Sequence, residues 1–494
     1  MKGEAVTTPA PKGLRLGHKN HKLAVKRSEH EKDIPGYKDR QTLRGVFKKI
    51  SAKQSVVIHR ISAGEAEQRS YYRLLHNPRV DITAIKEYLY ADCRRQVVPG
   101  DHYLCIQDTT QPNFESNRKN IGNLEGLGVI GDGKSLGFFL HPSLVIGAED
   151  GRAIGFSNIQ TWSRAATVPR TELEKKRFRD QQKARPICEK ESYRWQSAAI
   201  ASKEVLQAAG QVTVICDREG DIGEFFAAVP DAKTHLLVRS TSNRKIVVST
   251  ASGALEAAML FEHLSGQPLV GSYELDIKGD IRKKRIGRKA LMQVRVSPIA
   301  LLIQEKIVHL YAVEAREDAS TIPAGEKAVH WRLLTTHTVE GLQQARRMLN
   351  FYAQRWNIEQ LFRLIKQKGF NVEDSDMETG KALIQLTLMS LYAAAKILLV
   401  HLASKEKETQ PIKETFTPPE IECLQAVCTQ YEGKTSKQKN PNPRNSLQWC
   451  YWVLARLGGW KPHEKQAGVI TIFRGWSDFQ KIFDGWTMAK NFVS

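Results

Sequence analysis

The chain has 494 residues, room for about three domains at roughly 150 residues each, and its 41% aliphatic, aromatic and cysteine content lies in the globular range, which excludes wholesale disorder. Lys plus Arg number 74 against 53 Asp plus Glu, a net charge of +21 that repels basic partners at long range and places nucleic acid first among the polyanions it attracts. The longest apolar run, residues 382–403, is interrupted by Gln385, Thr387, Ser390, Lys396 and His401, so it reads as a buried helix, and no membrane partner is expected.

Residues 1–50 carry 13 Lys or Arg against 5 Asp or Glu, together with Pro9, Pro11 and Pro35. They show little hydrophobic periodicity before Leu43, which reads as a flexible basic arm. From 62 to 92 the spacing of Tyr71, Tyr72, Leu75, Ile82, Ile85, Tyr88 and Leu89, broken at Asn77 and Pro78, predicts helices joined by a turn. The period then becomes that of strands, at 103–109, 137–146, 153–160, 212–218 and 235–239. A charged helical stretch over 172–209 is long enough to cross over to a parallel strand, so the order predicts a mixed α/β sheet. From about 240 to 328 alternating runs at 272–277, 291–296 and 307–313 predict a small antiparallel insert, whose loop 278–289 is strongly basic. A strand at 331–336 precedes a long helix over 339–368, and the remainder from about 380 is helical, interrupted at 417–419 and 432–445. Seven scattered cysteines form no CxxC pair, which points to reduced thiols and a cytoplasmic location.

Three acidic residues stand out by position. Asp108 and Asp217 each close an apolar strand, and ligands of an open α/β sheet collect outside the carboxyl ends of its strands, so the two can converge. Taken singly, each is equally an N-cap or turn former. Glu359 lies on the third segment: at 100° per residue Tyr352, Arg355, Glu359 and Lys366 share an arc of about 60°, with Ile358, Leu361, Phe362 and Ile365 in adjoining directions. A solvated i, i+4 ion pair is the plain alternative for Arg355 and Glu359. Two aspartates and a glutamate held together repel one another, and hard Mg²⁺ or Mn²⁺ relieves the repulsion through oxygen ligands while leaving positions for water and phosphate. Two such ions about 3.5 to 4 Å apart suit phosphodiester displacement, with Arg355 and Lys366 holding substrate phosphates and Tyr352 donating to one.

Asp108 in CIQDTT, Asp217 in ICDREGDI and the spacing Tyr352-x2-Arg355-x3-Glu359-x6-Lys366 resemble the DDE transposases of bacterial insertion sequences, specifically the insertion-sequence-four group with its Y-R-E-K signature. Within that group the chain is similar to the transposon-five type of cut-and-paste transposase. The likeness runs from about 60 to 490 and includes RSYYRLLHNPRV (69–80), EKESYRW (189–195), HWRLLTT (330–336) and SLQWCYWVLARLGGW (446–460). The resemblance implies an α/β fold: a ribonuclease-H-like catalytic core over 93–380 with a β insert at about 240–328. A basic arm and helical DNA-binding region would occupy 1–92, and a helical dimerisation region 381–494.

It also implies that Asp108, Asp217 and Glu359 are the catalytic metal ligands, for two Mg²⁺ ions per site, with Mn²⁺ able to substitute. Metal-assisted hydrolysis frees a 3′-OH at each transposon end, a hairpin forms and reopens, and the 3′-OH joins target DNA. The partners so implied are double-stranded transposon ends, target DNA and a second copy of the chain. Trp331 matches an aromatic that stacks on a flipped base, and Trp356 sits beside it. Tyr352, Arg355, Lys366, Arg239, Arg244, Lys245, Arg282, Lys283, Lys284, Arg285 and Arg288 are the expected DNA contacts, which would make binding salt-sensitive. The first 50 residues depart from the family pattern. The alternative is therefore a non-catalytic DNA-binding inhibitor of the same fold that acts through unproductive dimers.

Overall fold

The computed structural model of the chain describes residues 37–166, 171–249, 255–280, 285–366, 368–406, 408–463 and 465–493. At its centre lie β1 (His102–Gln107), β2 (Phe139–Gly147), β3 (Ala153–Trp162), β4 (Gln211–Cys216) and β5 (Thr234–Arg239). Their spatial order is β3-β2-β1-β4-β5. β1 and β4 are parallel, as are β4 and β5, while β2 runs antiparallel to both β1 and β3. This is the ribonuclease-H-like mixed sheet expected from the sequence. On β1, Leu104 and Ile106 enter one core while Tyr103 and Cys105 enter the other. Successive side chains point to opposite faces, so a strand covered by helices on both sides must be apolar at every position.

Helices α1 (Tyr37–Lys53), α2 (Glu65–His76) and α3 (Ile82–Gln96) precede the sheet. The flexible-arm expectation fails from residue 37 onward, because Leu43, Val46, Phe47 and Ile50 are fully buried at helical spacing, and Phe47 stacks on Tyr88 with centroids 4.2 Å apart. Residues 1–36 lie outside the described residues. The crossover between β3 and β4 is two helices, α4 (Glu172–Ala184) and α5 (Tyr193–Val205), rather than one. Pro186 is the reason: it lacks an N–H and bars the preceding residue from helical geometry. A short α6 (Gly223–Ala228) links β4 to β5.

The insert comprises β6 (Lys245–Ser249), β7 (Leu255–Met259), α7 (Leu260–Ser265), β8 (Leu269–Ile277), β9 (Arg288–Ile303) and β10 (Lys306–Glu317), followed by β11 (His330–Thr335). Its strand pairs are antiparallel. It is not a separate sheet, however: β11 pairs with β5, and the order continues β11-β10-β9-β6-β7 with β8 also on β9. Among the described residues this makes one eleven-stranded mixed sheet, with a two-stranded ladder at 128–129 and 136–137 apart from it.

Beyond β11 come α8 (Leu342–Ala353), α9 (Trp356–Ile365), α10 (Gly380–Ala403), α11 (Pro418–Tyr431), α12 (Leu447–Leu457) and α13 (Val469–Val493). Helix α10 is long and apolar enough to cross a membrane, yet it is buried within the protein. Several of its polar groups find partners there: the Gln385 amide N–H donates to Val80 O at 2.7 Å, and Thr387 and Ser390 donate to carbonyls of their own helix. It packs on α1, α3, α9 and β3, so both terminal helical regions close over one face of the sheet. The seven cysteines are free thiols, Cys188 exposed and the rest buried.

Candidate active site

Asp108 and Asp217 are the first residues past β1 and β4. The two strands run parallel with Ile106 opposite Ile215, so both aspartates leave the sheet side by side at its carboxyl edge. Asp108 Oδ1 accepts from the Thr109 N–H at 2.8 Å. Asp217 caps the short turn 218–220, its Oδ1 accepting from the Glu219 N–H at 2.8 Å. The turn-forming role that each aspartate has when taken alone is therefore present, and it fixes one oxygen of each while leaving the other for further contacts.

The single helix expected over 339–368 is broken. Gln354 and Arg355 bond back three residues, to Phe351 O at 3.1 Å and Tyr352 O at 3.0 Å, tightening the chain between α8 and α9. Arg355 sits at this break. Its Nη1 donates to Asp108 Oδ2 at 3.1 Å and its Nη2 to Glu359 Oε1. The expected i, i+4 ion pair is thus real, but it is not a solvated one, since the same guanidinium also holds Asp108 from across the sheet. Tyr352 is buried, with Arg239 and Arg355 nearby and Trp331 edge-on at 6.2 Å. Burial raises its phenol pKa. Lys366 is the first residue past α9, so it leaves the common stripe. Its Nζ donates to Gln111 O at 2.9 Å and lies 3.8 Å from Glu373, and burial lowers its pKa. It lines a polar cavity of about 680 Å³ with Thr109, Thr110, Gln111 and Asn113.

The electrostatics converge on Asp108. Burial pushes its carboxyl up to about 7, the charge of Asp217 adds to the rise and that of Glu359 contributes further, while the Thr109 N–H and Arg355 oppose it. All three carboxylates therefore act on one point, and an all-oxygen donor set under mutual repulsion fits a hard divalent cation. Among the described residues no three acidic, His or Cys side chains already form a metal cage; the guanidinium of Arg355 stands between Asp108 and Glu359.

The other candidates divide by what their side chains touch. Trp331, at the start of β11, is half-buried, and Trp356 is 52% exposed on the first turn of α9. Lys245 is exposed, as is Arg285, which bonds Lys278 O at 3.0 Å. Arg239 donates to His330 O at 3.2 Å. Arg244 is held by Asp221, whose side chain is fully buried. Arg288, 9% exposed, is committed to Glu317 and Glu326. Arg282, Lys283 and Lys284 lie outside the described residues.

Sequence reasoning passed over Arg194, although it lies in the quoted stretch EKESYRW. Its guanidinium reaches Thr109, the neighbour of Asp108, and Glu219, two residues past Asp217. The signal was an arginine on the crossover helix of a protein with two strand-end aspartates, too general to single out without coordinates.

Two comparisons bear on the chain. Residues 162–395 match the family described as the transposase DDE domain. That stretch includes Asp217 and Glu359, while Asp108 precedes it. Among solved structures, the chain is similar to a piggyBac transposase in a synaptic complex with hairpin DNA, at 10% identity and a TM-score of 0.32, over 74% of this chain and 66% of that one. The chain thus spans just under two thirds of that relative's length.

Proposed function

We propose that the chain is a cut-and-paste DNA transposase of the insertion-sequence-four, transposon-five type, which binds transposon ends as a dimer, cleaves them through a hairpin and joins their 3′-OH groups to target DNA. One observation carries the reading. Asp108 and Asp217 leave the sheet side by side at its carboxyl edge, and the charges of Asp217 and Glu359, from separate segments, both act on Asp108 in a protein whose net charge is +21. An acidic centre in a basic protein suits a site that takes polyanionic DNA through metal cations.

Asp108, Asp217 and Glu359 would hold two Mg²⁺ ions, with Mn²⁺ able to replace them. When bound, these ions supply the Lewis acidity that activates a water or 3′-OH and steadies charge at phosphorus. The protein's own groups do the rest. Asp108 and Glu359, which Arg355 bridges in the DNA-free protein, would serve as oxygen ligands of those cations. Arg355 and Lys366, which lines the polar cavity, would bind flanking phosphates as charge-assisted donors. Tyr352 donates its phenol proton to a phosphate oxygen. Trp331 offers a stacking face for a displaced base, and Trp356, 52% exposed, is open enough to do the same.

Support for the dimer comes from α13. Ile482, Gly485, Ala489 and Phe492 follow one another at spacings of three and four, and Phe492 is 90% exposed, which is the pattern of a helix seam awaiting a partner.

The test is a gel shift and nicking assay with the element's own ends, comparing wild type with Asp217→Asn in Mg²⁺. The expected result is equal end binding with cleavage lost in the variant. Full cleavage by the variant would overturn the metal-ligand assignment. End binding without cleavage by wild type would establish the inhibitory alternative.

A further inference from the structure

We infer that Arg194 is a positioning residue that sets the gap between Asp108 and Asp217; the inference rests on the metal-site reading above and names a residue that reading does not use. Arg194 lies on α5, its side chain 13% exposed. Its Nε donates to Thr109 Oγ1 at 3.2 Å, its Nη2 to the Glu219 carboxylate, and its Nη1 to Glu191 O at 3.1 Å. Both of the first two partners are one link from an aspartate. The Thr109 N–H holds Asp108 Oδ1, and the Glu219 N–H holds Asp217 Oδ1, each at 2.8 Å. One planar fork therefore ties the loop after β1 to the turn after β4.

The fork is itself fixed. Trp162 and Trp195 place their rings 5.6 and 5.4 Å from the guanidinium carbon, and Trp195 is fully buried. Thr109 is fixed from its other side. Its oxygen accepts from Arg194, and the same hydroxyl shares a hydrogen bond with His141 Nδ1, 2.9 Å away. His141 is buried, and burial brings its pKa down to about 3, so the ring stays neutral. These bonds lock the Thr109 side chain beside Asp108. No bond from Arg194 to Asp108, Asp217 or Glu359 occurs among the described contacts, so it acts through neighbours. The geometry requires a fork: a lysine carries one point of charge and cannot span Thr109 and Glu219 while lying between two indoles.

The test is calorimetric titration of the DNA-free protein with Mn²⁺, on wild type, Arg194→Lys, Arg194→Ala, Glu219→Gln and the Arg194→Ala/Glu219→Gln double variant, with thermal midpoints recorded alongside. Groups that orient metal ligands change metal affinity by about 10- to 100-fold when replaced. Arg194→Lys should keep a midpoint near wild type, lose Mn²⁺ affinity within that range, and require correspondingly more Mg²⁺ for half-maximal end cleavage. The double variant should be no worse than Arg194→Ala alone, because the Glu219 side chain acts through Arg194. Unchanged Mn²⁺ affinity in Arg194→Lys, or a loss that only follows a lowered midpoint, would overturn the proposal. Equal Mn²⁺ binding by wild type and Asp217→Asn would instead strike the metal-site reading itself, and the role of Arg194 with it.

Discussion

Arg355 and Asp108 are 247 positions apart in the chain and 3.1 Å apart in space. With Glu359 on its other nitrogen, the guanidinium compensates two carboxylates that would otherwise face each other bare. A divalent cation would take over that role, and only one of the two can occupy the gap. Arg355→Ala should therefore raise the affinity of the DNA-free protein for Mn²⁺ by about tenfold, equivalent to about 1.4 kcal/mol, while end cleavage falls for want of a phosphate ligand. Calorimetry and a cleavage assay read the two effects separately. Weaker Mn²⁺ binding in the variant would mean that Arg355 organises the carboxylates rather than competing for them.

Asp108 makes a second prediction through its proton. With its carboxyl at about 7, a bound cation must displace that proton below neutrality, so Mn²⁺ affinity should climb between about pH 6 and 8 and binding should release protons. The same shift bears on stability. The folded-state value lies above the unfolded one, near 3.9, so the protonated form stabilises the fold at low pH and that contribution is lost as pH rises toward and through 7. Asp108→Asn should thus stabilise the protein at pH 8 by about 1 to 3 kcal/mol and far less near pH 4, while removing cleavage. Urea denaturation at the two values checks it.

How much of this was legible in the sequence follows from which interactions are local. The strands carrying Asp108 and Asp217 are short apolar runs ending in an acid, a pattern that needs no long-range information. The parallel register that sets them side by side depends on a crossover, and alternation with a charged helical stretch was enough to infer one. The break at Gln354 and Arg355 was not legible, since neither residue is Pro or Gly and the helical wheel runs through it unbroken. Nor was α1: its buried face, Leu43 to Ile50, is short, follows a basic arm and acquires meaning only against Tyr88 and Tyr392. Charge was the least legible feature. Arg288 and Lys245 look alike in sequence, yet one is internal and the other exposed.

That contrast is testable. Arg288 is bonded to Glu317, whose side chain is fully buried, and to Glu326, and Arg288 holds the Glu317 carboxyl below its usual range. Arg288→Ala would leave a buried carboxylate without its partner, which costs about 3 to 5 kcal/mol, so the expected effect is a lowered denaturation midpoint. Lys245→Ala should leave the midpoint unchanged and lower the salt dependence of end binding, by about one unit of slope for one phosphate contact. A stable Arg288→Ala variant with weakened DNA binding would reverse the assignment.

The last prediction concerns acid. Beneath the sheet, away from the aspartates, His102 and His337 both reach Thr213 Oγ1, at 2.8 and 2.7 Å, and His337 stacks on His235 at 4.0 Å. Burial brings His102 down to about 4 and His337 down to about 3, and Arg347 adds to both effects. His141 and His401, buried elsewhere, are also brought down to about 3. Each folded-state value lies below the unfolded one, near 6.5, so the unfolded chain takes up protons first as pH falls. The stability these groups carry is complete above about 6.5 and is lost progressively below it, at about 1.4 kcal/mol per pH unit for each proton taken up. Urea midpoints should therefore drop steeply from pH 6.5 to 4.5, before most carboxylates titrate, and His337→Gln should flatten the slope. Asp108 works in the opposite direction over the same interval, so the slope should be steeper still in the Asp108→Asn background. Midpoints independent of pH in that background would show that the buried imidazoles are protonated in the folded protein after all.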